Sequence, residues 1–106
     1  MIQQQRSGKL VRDRIPDIIR ANGGDSHTTV LDDREYTLAL QAKVHEEIEE
    51  LLASPADKRT EELADIVEVL YALAEHYGLD WDAVEIVRLR KKHERGGFEG
   101  RVWLEP

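Results

Sequence analysis

Cysteine is absent from the chain, which excludes a disulfide framework, a thiolate metal site and a thiol nucleophile. Long apolar runs are missing too, so no segment reaches the roughly 20 residues that a membrane-spanning helix needs. The opening Met1-Ile2-Gln3-Gln4-Gln5-Arg6 lacks the apolar stretch of a secretory signal. The expectation is a cytoplasmic protein with no membrane partner. Aromatic residues are few, two Trp, three Tyr and one Phe, while 35% of residues are charged. That balance suits helices better than a β-sandwich. A basic surplus is also lacking, because 22 acidic and 15 basic residues give a formal net charge of −7. Such a charge argues against a nucleic-acid polymer or an anionic lipid surface as partner. No GxxxxGK[ST] phosphate loop occurs.

What is present is 106 residues, the length of one domain spanning 1–106. Folding at this size buries about two-thirds of the unfolded chain's surface, so an oligomer would help complete the core. Ile15-Pro16-Asp17-Ile18-Ile19-Arg20-Ala21-Asn22 reads as a short helix, with Pro16 in its first turn and Gly23-Gly24 at its end. The stretch from Asp25 to Leu31 reads as a loop or a brief strand. Asp32 and Glu35 stand at capping-box spacing and open a long helix that runs to about Ala53, before Ser54-Pro55. A second long helix is predicted from near Thr60 to Gly78. A third follows Asp80, its N-cap, and ends at Gly96-Gly97. The tail carries Val102, Trp103 and Leu104, which are expected to pack back on the body. Trp81 and Trp103 read as core or interface anchors. The fold class is all-α, a bundle of one short and three long helices.

On helical wheels the first long helix has an apolar arc of Tyr36, Leu40, Val44, Ile48, Leu51 and Leu52. Glu47 falls inside that arc and Glu50 at its rim. Glu46 and Glu49 point away. On the second helix Leu63, Ile66, Val67, Val69, Leu70, Leu73 and Ala74 form the arc. Glu62 lies inside it and Asp65 at its rim, with Glu61, Glu68 and Glu75 on the other side. A lone buried carboxylate costs several kcal/mol unless it is paired or metal-bound. Two such helices packed antiparallel would converge four carboxylates, which calls for a divalent cation. Oxygen ligands favour a hard ion, Mg²⁺ or Mn²⁺.

Glu47-x-x-Glu50 followed by Glu62-x-x-Asp65 resembles the ExxE…ExxD signature of the all-α nucleoside triphosphate pyrophosphohydrolases. That superfamily holds the MazG-like enzymes, the dimeric dUTPases and the phosphoribosyl-ATP pyrophosphohydrolases. Lys43-Val44 before the first pair and Glu62-Leu63-Ala64-Asp65-Ile66-Val67 around the second match its context. The opening Lys9-Leu10-Val11-Arg12-Asp13-Arg14-Ile15-Pro16 and the closing Arg95-Gly96-Gly97-Phe98 look like a compact MazG-related subgroup of predicted house-cleaning type. The resemblance implies a MazG-like helical bundle completed by dimerisation. It implies Mg²⁺ held by Glu47, Glu50, Glu62 and Asp65, and hydrolysis of a nucleoside triphosphate to the monophosphate and pyrophosphate. One of those carboxylates would take the proton from the attacking water. Glu50 is preferred, because a rim position meets both metal and solvent.

A triphosphate also needs cationic side chains. Arg88, Lys91, Lys92 and Arg95 follow i, i+3, i+4, i+7 and share one face of the last helix. Lys9, Arg12 and Arg14 form a second candidate group for phosphate or base. The four His, at 27, 45, 76 and 93, make no ligand set. The preferred reading is a metal-dependent pyrophosphohydrolase that removes unwanted nucleotides, acting as a homodimer or a dimer of dimers. Two alternatives stay open: a phosphoribosyl-ATP pyrophosphohydrolase of histidine biosynthesis, and a non-catalytic helical dimerisation or regulatory module.

Overall fold

The computed structural model describes residues 7–106. Among the described residues four α-helices follow one another: α1 Ile15–Ala21, α2 Asp33–Ala53, α3 Arg59–His76 and α4 Trp81–Arg95. A single 3₁₀ turn, Ala56–Lys58, separates α2 from α3. No strand occurs among the described residues, so the fold class is all-α with one short and three long helices. The stretch 25–31 is a loop. No helix among the described residues is long and apolar enough to cross a membrane.

The helix ends follow local chemistry. Pro16 sits in the first turn of α1, where its missing N–H removes no helical bond. At the start of α2 the Asp32 side chain accepts from the Glu35 backbone N–H at 2.8 Å. The Glu35 carboxylate accepts in return from the Asp32 N–H at 3.2 Å. This reciprocal cap satisfies two otherwise orphaned donors. The helix stops where Ser54 turns extended before Pro55, and the Ser54 hydroxyl donates to the Leu51 carbonyl. Gly78, at φ +73°, turns the chain out of α3, with the Leu79 N–H donating back to the Ala74 carbonyl at 2.8 Å. Asp80 then caps α4 by accepting from the Asp82 N–H.

Contacts group the chain into two compact units, Met1–Leu73 and Ala74–Pro106. In the first, α2 and the bulk of α3 form a helical hairpin closed by the short turn. Ala39, Leu40 and Ile66 are its buried apolar side chains, and Glu47 is buried with them. The arcs read from the wheels are too wide. Ile48 and Leu63 are exposed, and Leu52 is 80% exposed. A helix flanked by few neighbours covers only a narrow stripe, so residues at an arc's margin stay in water.

The second unit holds the end of α3, the turn through Gly78, α4 and the tail. Here the expectation for the tail fails. Val102, Trp103 and Leu104 are exposed, and Phe98 is 96% exposed. The last two turns of α4, residues 88–95, are charged or polar apart from Leu89 and offer the tail little apolar surface. Trp81, at the head of α4, is half-buried.

Candidate functional site

A cavity of about 760 Å³ opens in the first unit. One wall is the segment 9–15, irregular up to Arg14 and entering α1 at Ile15, which contributes Lys9, Arg12, Asp13 and Arg14. Ile18 of α1 and Tyr36, Leu40, Lys43 and Glu47 of α2 line a second side. Asp65, Glu68, Val69 and Ala72 of α3 close it. The cavity therefore combines a cationic wall, an acidic end and apolar sides.

The acidic end is built around Glu47, which is only 6% exposed. Carboxylate oxygens of Glu47, Glu62 and Asp65 lie within 4.8 Å of one another, and so do those of Glu46, Glu47 and Glu50. All four carboxylates predicted as ligands thus gather about one residue. The i, i+3 spacing on each helix stacks each pair on one face, and the hairpin sets the two faces together. Glu46 is a correction, since the wheel pointed it outward. Lys43, one turn earlier, draws it in: the Lys43 Nζ lies 3.3 Å from both Glu46 Oε2 and Glu47 Oε1. Glu68 is a second correction, for it is exposed yet lines the cavity.

Glu47 Oε2 and Glu62 Oε2 are buried and accept no hydrogen bond. Burial pushes the Glu47 carboxyl above its ordinary value of 4.5, and the Glu50 charge adds to the rise, while the Lys43 ammonium opposes it. Buried polar atoms without partners are rare, and carboxylates with oxygens within 4.8 Å of one another repel. A hard divalent cation takes carboxylate oxygens as ligands, so the cluster fits such an ion.

Of the predicted phosphate-binding residues, Lys9, Arg12 and Arg14 do line this cavity. Arg12 Nη2 donates to Asp65 Oδ1 at 2.7 Å, joining segment 9–15 to the acidic end. Arg88 is held by Glu85 on its own helix, with Nε 3.0 Å from Oε2. Lys91, Lys92 and Arg95 are exposed on α4 in the second unit. Sequence reasoning gave Lys43 no role. Its position four residues before Glu47 was the available signal, because an i, i+4 pair meets on one helix face.

A family profile described as phosphoribosyl-ATP pyrophosphohydrolase (PRA-PH) matches residues 17–92. The chain belongs to this family. Membership of the phosphoribosyl-ATP pyrophosphohydrolase family bears out the superfamily resemblance. The match runs from α1 into α4 and includes every carboxylate of the acidic end, while the cationic segment 9–15 lies before it. A stretch of 46 residues is 52% identical to an uncharacterised protein of Mycolicibacterium smegmatis, covering 43% of this chain. The chain matches 47% of that relative's length, about half of it. No solved structure matches.

Proposed function

We propose that the protein hydrolyses a nucleoside triphosphate to the monophosphate and pyrophosphate, with Mg²⁺ held by Glu47, Glu50, Glu62 and Asp65. Mn²⁺ is the second candidate ion. The observation that carries the reading is the pair of buried, unpartnered carboxylate oxygens, Glu47 Oε2 and Glu62 Oε2, beside a cavity with a cationic wall. Bound there, the ion offsets phosphate charge and lowers the pKa of a nearby water.

The chain's own residues do the rest. Lys9, Arg12 and Arg14 receive the phosphates. Ile15, Ile18, Leu40 and Val69 give the nucleoside an apolar wall. Water attacks the α-phosphorus, the α–β anhydride bond breaks, and pyrophosphate leaves. Glu50, exposed at the rim, accepts the proton from that water. Lys91, Lys92 and Arg95 remain the second set of candidate phosphate cations. Nucleotide-pool house-cleaning in the cytoplasm is the preferred role. The family's description favours phosphoribosyl-ATP as a second candidate, and the same anhydride bond would break in it.

Pyrophosphate release from canonical and damaged nucleoside triphosphates and from phosphoribosyl-ATP, with Mg²⁺, tests the reading. One substrate class should yield stoichiometric monophosphate and pyrophosphate. Silence across the whole panel would leave the non-catalytic helical module standing.

The active form is a homodimer, or two dimers joined. Ile48, Leu52 and Leu63 of the first unit are exposed, apolar side chains outside the cavity that a two-fold partner would cover. Specific activity should therefore fall on dilution below the dimer's dissociation constant. Light scattering that finds a fully active monomer at sub-micromolar concentration would refute the assembly.

A further inference from the structure

The Arg12–Asp65 ion pair is built unlike the other cation–carboxylate pair of the cavity. Lys43 and Glu47 are nearly covered, their side chains 15% and 8% exposed. Arg12 and Asp65 are 57% and 41% exposed. Water screens such a pair, so little free energy is lost when it opens. Arg12 also sits on a segment outside any helix, whose backbone tie is the Ile15 N–H donating to the Arg12 carbonyl. Its side chain can swing without disturbing α2 or α3. Yet its partner Asp65 shares a 4.8 Å cluster with Glu47 and Glu62, whose unpartnered oxygens call for a cation.

We propose that Arg12 is an exchangeable counter-ion, holding Asp65 in the metal-free protein and passing to the substrate's phosphates when a divalent cation takes Asp65. This rests on the metal-dependent reading above and adds an order to it. One guanidinium serves two carboxylate or phosphate acceptors in turn, so cation and triphosphate bind with positive coupling. By linkage, each raises the other's affinity by the same factor. Arg12 is in this sense the cation's competitor at Asp65 and a binding residue for phosphate.

Calorimetric titration of the full chain with Mn²⁺ alone is the test, followed by titration of the Mn²⁺-saturated protein with an α,β-imido nucleoside triphosphate. Arg12→Ala should bind Mn²⁺ alone about two- to fivefold more tightly than the wild type, the range an exposed ion pair's worth allows, because a competing charge is gone. Arg14→Ala removes the same charge from the same segment and should change Mn²⁺ affinity less than about twofold. With Mn²⁺ bound, Arg12→Ala should hold the analogue about tenfold more weakly, and Arg12→Lys should recover part of that loss. These effects are of the size expected for one charge-assisted contact. Unchanged or weaker Mn²⁺ binding by Arg12→Ala, or a gain matched by Arg14→Ala, overturns the exchange while leaving the metal site intact. A wild type that binds no Mn²⁺ overturns both.

Discussion

Glu47→Gln should lose at least ~100-fold in pyrophosphate release without lowering the melting temperature of the metal-free protein. Altering groups that merely orient metal ligands typically costs about 10- to 100-fold, so losing a central ligand should exceed that. Glutamine keeps the shape of the side chain and removes a charge that burial disfavours. The sign of the pH dependence follows. Glu47's pKa is raised in the folded chain, so the native state holds a proton that the unfolded state gives up. Metal-free stability should fall as pH climbs from 4.5 through the raised value, and the loss is complete above it. Glu47→Gln should lack that decline. Glu49→Gln and Glu61→Gln, at exposed positions, should stay within about twofold of wild-type activity. Melting curves and initial rates across pH read all of this. Near-normal turnover by Glu47→Gln would remove Glu47 from the metal site.

Stripping divalent cations should abolish activity, and restoring Mg²⁺ should raise the melting temperature by about 10 °C. At a hundred times its dissociation constant, a ligand specific for the native state adds about 2.7 kcal/mol. In a domain of this length each kcal/mol moves the midpoint by several degrees. Turnover that persists in excess chelator would end the metal mechanism, whatever the thermal shift shows.

The elements most legible in the sequence are those with short-range causes. Asp32 and Glu35 announced the start of α2, and both reciprocal bonds are there. Ser54-Pro55 and Gly78 marked the next ends. The convergence of Glu47, Glu50, Glu62 and Asp65 followed from two periodic helices joined by a short turn. Less legible were features set by what covers what. A wheel gives angles and not neighbours, so Leu52 was placed in an arc and Trp103 was expected to be covered. Glu46 was misjudged because a flexible side chain followed Lys43 rather than its wheel angle. The Arg12–Asp65 bond spans 53 positions, and no periodicity reports such a link.

The acidic end and the cationic wall are made from different kinds of backbone. The carboxylates stand on α2 and α3, whose register is locked by caps and a tight reversal, so a shift of one residue would scatter them. The wall is a short irregular stretch near the amino terminus, where a side chain can be exchanged without breaking a helix. If the wall grips phosphate as proposed, substitutions in that stretch can alter the grip while the helices keep the carboxylates where they are.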